Sequence, residues 1–136
     1  MIIRRYQDTD FEDADYLQKD FYLIPASQEE LRDKLNSPSW VAEEDGVLGC
    51  IITCPDADKT LIWSVIVAPS YRGMGVGTLL MGAAESFYRG NKLTLHVEPA
   101  NPARRLYFRR GYRASRYIKD FFGQGYDAIE MYKYCD

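Results

Sequence analysis

Long apolar runs are missing from this sequence. Nothing in its 136 residues approaches the roughly 20 consecutive apolar positions of a membrane span, and the opening MIIRRYQDTD has no long apolar core of the kind a secretory leader carries. A cytoplasmic protein with no membrane partner is expected. Cysteine is scarce too: Cys50, Cys54 and Cys135 show no C-x-x-C spacing. The first two lie four apart in a strand-like run, about 13 Å at 3.3 Å per residue, too far for a disulfide. They read as packing thiols, and no metal site is expected. Repeats, low-complexity tracts and linkers are absent, so residues 1–136 are read as one domain, long enough to bury about two-thirds of its unfolded surface.

Net charge is only −3, yet it is unevenly spread: 14 of the 20 acidic residues precede Lys59, whereas Arg104, Arg105, Arg109, Arg110, Arg113, Arg116 and Lys119 crowd one later segment. Either these are two solvated faces, or an acidic approach serves a cationic substrate and a basic rim a phosphorylated cofactor. The acidic balance argues against nucleic acid as the main partner.

Patterning predicts a first strand over Ile2 to Tyr6 and a helix from about Asp10 to Tyr22. FYLIPAS breaks at its proline, and Ser27 caps a second helix, with Glu30 completing a capping box and Leu31 and Leu35 four apart. WVAEED and VLGCIIT read as strands joined across the hairpin turn Asp45-Gly46, and TLIWSVIV as a buried strand. Val76, Leu80, Ala83, Ala84 and Phe87 keep a helical period that Gly90 stops; KLTLHVE is the next strand. Asn101 caps a helix that opens on Pro102 and ends at Gly111. Strands at about Tyr112 to Phe121 and Tyr126 to Tyr134 turn across GQG. The order is β-α-α-β-β-β-α-β-α-β-β, a mixed α/β sheet with helices on its faces.

Between the buried strand and its helix lies VAPSYRGMGVGTLLM, with three glycines at alternate positions. A dinucleotide fingerprint would need a sixth-position glycine, where Thr78 stands. A Walker loop would need a lysine after Gly77, and there is none. What remains is either a merely flexible turn, for which one glycine would suffice, or a strand-to-helix turn whose unpaired N–H groups let a phosphate approach the positive end of a helix.

The segment R-G-M-G-V-G, Arg72 to Gly77, closely resembles the acetyl-CoA motif of the GNAT superfamily of N-acetyltransferases, and N-P-A-R-R-L-Y-F-R-R-G-Y, Asn101 to Tyr112, is similar to that superfamily's N-x-A-x-x-L-Y segment. The element order matches its fold over essentially the whole chain. The resemblance implies a mostly antiparallel central sheet with helices on both faces. It implies that Arg72, Gly73, Met74, Gly75, Val76, Gly77 and Thr78 bind the pyrophosphate of acetyl-CoA. The strand at Val65, Ile66 and Val67, with Asn101, would hold the pantetheine arm.

Amide formation from an amine and a thioester needs a neutral amine, and a proton for the departing thiolate. TLIWSVIV carries no carboxylate to act as base. In KLTLHVE, alternation puts Thr94, His96 and Glu98 on one face, the face that looks into the acceptor cleft in the GNAT fold. His96, the only histidine, accepts the proton directly or through water, or is a core histidine bonded to a neighbour. Glu98, at the strand end, is either a reserve base or a residue that meets only solvent. Tyr107 matches the tyrosine that many GNAT enzymes use as general acid, although packing alone would also account for it. Tyr71, with His96, resembles a tyrosine and histidine pair that serves one subfamily of N-terminal protein acetyltransferases in catalysis; packing alone would also account for it.

Within the superfamily, L-H-V at Leu95 to Val97 and G-Y-D-A-I-E-M at Gly125 to Met131 resemble the N-terminal protein acetyltransferases, the ribosomal-protein alanine type among them. Phe121-Phe122 stands where those enzymes usually carry a tyrosine pair that grips the peptide, so stacking survives and the hydroxyl contacts do not. Tyr22, Ile24 and Pro25 of FYLIPAS would wall the acceptor site by analogy with the family, or form a purely structural loop between helices. Freeing a proton at pH 7 costs roughly 4.6 kcal/mol from a lysine but about 1.1 from an α-amine, the smaller task for one histidine. The expected acceptor is a protein or peptide α-amine; a small-molecule amine, such as a polyamine or aminoglycoside, and a non-catalytic acyl-CoA-binding module are the alternatives. A monomer or homodimer is expected.

Overall fold

A computed structural model describes residues 1–22 and 24–136; Leu23, inside the expected acceptor wall, lies outside the described residues. The strands are β1 (Ile2–Arg5), β2 (Ser39–Glu43), β3 (Val47–Pro55), β4 (Thr60–Val67), β5 (Lys92–Val97), β6 (Arg113–Ile118) and β7 (Ala128–Tyr134). The helices are α1 (Phe11–Phe21), α2 (Gln28–Leu35), α3 (Val76–Phe87) and α4 (Ala103–Arg109). One seven-stranded sheet runs β1-β2-β3-β4-β5-β7-β6, antiparallel except where β4 meets β5.

Local signals act as their chemistry requires. Ser27 Oγ accepts from the Glu30 N–H at 3.1 Å to open α2, and Asn101 Oδ1 accepts from the Ala103 N–H at 2.9 Å to open α4. The β2–β3 turn has φ of +54° at Asp45 and +109° at Gly46, a left-handed pair that aspartate tolerates and glycine favours. α3 buries Val76, Leu80, Met81 and Ala84 on the face of the sheet that carries Leu93, Leu95, Val97 and Met131. α1 and α2 cover the other face, where Phe11, Ala14, Leu31 and Leu35 meet Val41, Cys50 and Ile52. A fully buried leucine such as Leu80 contributes about 2 kcal/mol of transfer free energy.

Two expectations are corrected. Phe87 does not join the buried stripe of α3: it is half exposed and meets the edge of Trp40 at 5.2 Å, and Met81 takes its place inside. The last hairpin is shorter than predicted, because Asp120, Gly123 and Gly125 all adopt positive φ, which no strand continues through. Phe121 and Phe122 therefore sit on a loop, not at a strand end.

The sheet is split at its centre. β4 pairs with β5 only at Thr60↔Leu93 and Leu61↔Thr94, while β4 keeps β3 as far as Val67↔Gly49 and β5 keeps β7 as far as Val97↔Ile129. At the point of parting β4 carries a bulge: Thr53 faces Ile62 and Ile52 faces Ser64, so Trp63 is the extra residue. A bulge bends its strand and adds twist, and here the neighbouring strands diverge into a wedge.

Candidate active site

The wedge opens a cleft of about 590 Å³. β4 contributes Ile62, Trp63, Ser64 and Val65, β5 contributes Leu95, His96 and Val97, α4 contributes Tyr107, and Phe21, Tyr22 and Ile24 close it from the end of α1. The β4 edge from Ile62 to Val67 has no strand partner on the β5 side, so an extended ligand can bond it as a further strand would.

The turn beyond β4 is the second part. From Gly73 to Thr78 no backbone N–H reaches a backbone carbonyl among the described residues, whereas Arg72 on one side bonds Pro69 and Leu79 on the other bonds Gly75. Six consecutive donors at the start of a twelve-residue helix are free to receive an anion. Gly73 and Gly75 adopt φ of +77° and +84°, and a Cβ on either would meet only open space. Gly77 has a different reason: it is already helical, and a Cβ there would come within 3.1 Å of Leu106 Cδ2. The third rung of the ladder lets α4 approach α3. Arg72 donates Nε to the Val67 carbonyl at 3.1 Å and lays its guanidinium over Phe21, which ties the turn to the strand before it.

Polar groups converge in the cleft. His96 Nε2 lies 3.0 Å from Glu130 Oε2, and its ring stacks on Phe121 at 4.1 Å and 18°. Glu130 also accepts from Arg116 and Ser115, and these partners, Arg116 first, hold its carboxyl down at about 2. The Tyr22 hydroxyl shares a hydrogen bond of 2.8 Å with Ser64 Oγ. Burial, with Tyr22 nearby, pushes the Tyr107 phenol up to about 12, so it stays protonated at neutral pH. Neither the Tyr107 hydroxyl nor His96 Nδ1 makes a hydrogen bond among the described residues. Neither is sealed from solvent, since the one buried unpartnered side-chain polar atom there is Arg110 Nε.

Residues 3–112 match the model of the acetyltransferase (GNAT) family. The chain belongs to that family. It is 31% identical over 142 residues to an uncharacterized N-acetyltransferase of Methanocaldococcus jannaschii, with 98% of this chain and 91% of that protein covered. Its fold superposes on the ribosomal-protein-S18-alanine N-acetyltransferase of Escherichia coli with a TM-score of 0.88 at 20% identity, covering 99% of this chain and 94% of that one. Arabidopsis thaliana Naa50, solved with the bisubstrate analogue CoA-Ac-MVNAL, gives a TM-score of 0.86 at 16% identity over 97% of both chains. This acetyltransferase is thus an enzyme and not merely an acyl-CoA-binding module, with acetyl-CoA as its acetyl donor. The free amides, the bare Gly73 and Gly75, and the unpaired β4 edge fit that donor.

Of the residues singled out in the sequence, the GNAT enzyme brings His96, Glu98, Tyr107, Asn101, Tyr22, Ile24, Val65 and Phe122 to one cleft. Asn101 spends Oδ1 on its helix cap, and its amide nitrogen makes no hydrogen bond among the described residues. Glu98 is exposed just past the end of β5. Tyr71 packs against the α3-side core and Pro25 is exposed; neither lines the cleft. Glu130, Ser64, Trp63 and Tyr126 went unread. Glu130 becomes visible only through the β5–β7 register, which no local pattern encodes. Trp63 and Ser64 share the α1 face only because of the bulge.

Proposed function

We propose that the chain is a single N-acetyltransferase domain that acetylates the α-amine of a protein or peptide amino terminus whose first side chain is apolar. The carrying observation is the composition of the cleft mouth. Phe21, Ile24, Phe122 and Tyr126 are large side chains left substantially exposed around it, an arrangement that favours an apolar ligand. The carboxylate that lines it, Glu98, stands at its exposed end, an ill fit for a polyamine or aminoglycoside. The tyrosine pair lost at Phe121-Phe122 has a substitute in Tyr126, whose hydroxyl makes no hydrogen bond among the described residues. The structural likeness to the ribosomal-protein-alanine enzyme and to Naa50 supports the same reading.

Bound acetyl-CoA supplies an acyl thioester, and coenzyme A leaves as the thiol when the amine takes the acetyl group. The chain's own work is positioning and proton transfer. His96 accepts the proton of the acceptor nitrogen at Nδ1, and Tyr107 delivers one from its hydroxyl to the departing sulfur. Gly73 to Thr78 hold the phosphates and Val65 to Val67 the extended arm.

A panel of purified acceptors decides the matter. Peptides beginning with Met, Leu or Phe, peptides beginning with Lys or Asp, and spermidine are each incubated with enzyme and acetyl-CoA and read by mass spectrometry. Acetylation at the α-amine of the apolar-first peptides, at least tenfold faster than the rest, is expected. Turnover of spermidine with no peptide modified would overturn the reading.

A further inference from the structure

The three strands at the far side of the wedge carry a row of side chains on one face. His96 on β5 is the register partner of Glu130 on β7, and Glu130 is the partner of Arg116 on β6. The contacts follow that row: His96 Nε2 to Glu130 Oε2 at 3.0 Å, Arg116 Nε to Oε1 at 3.2 Å and Nη2 to Oε2 at 3.3 Å, with Ser115 Oγ to Oε1 at 3.1 Å. The carboxylate and the imidazole are both largely buried, at 15% and 16% side-chain exposure. The ring is thus held at an edge by Glu130 and across a face by Phe121.

We propose that Glu130 is the positioning residue of this active site: it fixes the neutral His96 ring with its proton on Nε2 and so presents the Nδ1 lone pair to the cleft. This rests on the reading of His96 as the base. Neutral imidazole has one N–H, and a carboxylate 3.0 Å from Nε2 can only accept, so the proton must sit on that nitrogen. Arg116 and Ser115 keep the carboxyl deprotonated and aimed, which leaves it unable to donate. Nδ1 makes no hydrogen bond among the described residues and is not sealed from solvent. Phe121, stacked on one face of the ring at 4.1 Å, resists the out-of-plane swing that would exchange its two nitrogens. A histidine bonded to a carboxylate at one nitrogen and open at the other is poised to take a proton, not merely buried.

His96 is the only histidine, so a 15N-histidine-labelled sample reports one ring. A long-range 1H–15N spectrum of the wild-type enzyme above pH 8 is expected to show the Nε2–H form with a bare Nδ1. An Nδ1–H form, or an even mixture, would overturn the proposal without any variant. Glu130→Ala should mix the two forms and lower kcat on the order of tenfold, with the KM for acetyl-CoA held within twofold. Glu130→Gln, whose amide oxygen still accepts from Nε2, should recover part of the loss. If His96→Ala lowers kcat while Glu130→Ala leaves it intact, the positioning role is wrong and the base stands. If His96→Ala leaves kcat intact, the base reading itself is wrong.

Discussion

The side-chain amide of Gln18 pairs with the backbone of Ala26 in both directions: Nε2 donates to the Ala26 carbonyl at 2.8 Å and Oε1 accepts the Ala26 N–H at 2.9 Å. Gln18 is 2% exposed, and the pair closes the segment that carries Tyr22 and Ile24 into the cleft. Gln18→Ala unmakes both bonds and leaves two backbone groups in need of water. A loss of about 1–3 kcal/mol is expected in urea unfolding. Because Tyr22 and Ile24 line the cleft proposed to take the acceptor, KM for the acceptor should rise severalfold while KM for acetyl-CoA stays within twofold. Equal rises in both would mean that the clamp serves the fold at large.

The glycines of the turn before α3 should separate under substitution. Gly75→Ala puts a Cβ on a residue with φ of +84°, a left-handed conformation that costs an ordinary residue about 1–2 kcal/mol, and points it into the open side of the turn. Lower stability and a raised KM for acetyl-CoA are expected together. Gly77→Ala is helical already, so it gains about 1 kcal/mol of helix propensity and must push only the end of Leu106 by a few tenths of an ångström. Its melting temperature should hardly move. Thermal melts and coenzyme titrations of the two variants, side by side, check both statements.

The contrast shows which parts of the molecule local sequence encodes. Caps and turns are statements about a few neighbouring residues, so Ser27, Asp45-Gly46 and Gly73 to Thr78 announce themselves. Alternation in KLTLHVE places His96 on the cleft face correctly, because it follows from strand geometry alone. The bond from His96 to Glu130 spans 34 residues and depends on which strand comes between β5 and β6. Of the two readings of His96, the bond to a neighbour is present, and the same ring lines the cleft. The bulge at Trp63 is likewise a property of two strands in register, and at it begins the wedge that leaves one edge of β4 unpaired. The shortened β6–β7 hairpin escaped notice for a smaller reason: Asp120 takes positive φ, which few residues other than glycine announce.

Acid should weaken the fold through Glu130. Its carboxyl is held at about 2 against an ordinary glutamate value of 4.5, so the folded state binds the proton less readily than the unfolded chain does. The stabilisation is therefore complete above about pH 4.5 and is lost as the pH falls toward 2. A shift of that size corresponds to roughly 3 kcal/mol at most, and Arg116, 65% exposed, is screened by solvent, so about 1–2 kcal/mol is expected. Urea unfolding at pH 6 and pH 3 should show wild type and Glu130→Gln converging as the pH drops. A gap that stays constant would place the acid sensitivity elsewhere.

His96 and Glu98 compete for the role of base, and position separates them. His96 lies within β5, stacked and bonded, whereas Glu98 is exposed beyond the strand end. His96→Ala is expected to lower kcat/KM at pH 7 on the order of a hundredfold and Glu98→Ala less than threefold. Losses of equal size, or in the reverse order, would transfer the proton to Glu98.

Tyr107 gives the most direct test of the departing thiolate. The phenol is pushed up to about 12 by burial and by Tyr22, so it is a proton donor throughout the neutral range and never a base there. Its hydroxyl has no hydrogen-bond partner among the described residues, so Tyr107→Phe breaks no internal bond and should leave the melting temperature within about 2 °C. The ring keeps its edge contact with Tyr112 at 6.2 Å, so the core around α4 should be undisturbed. A donor that acts only as the sulfur acquires charge contributes to kcat and not to ground-state affinity. Turnover should fall on the order of a hundredfold while the Kd for acetyl-CoA is unchanged, read by stopped-flow thiol release beside calorimetric titration. Unchanged turnover would return Tyr107 to a packing role. A weakened Kd would mean that the hydroxyl holds the coenzyme arm instead of protonating it.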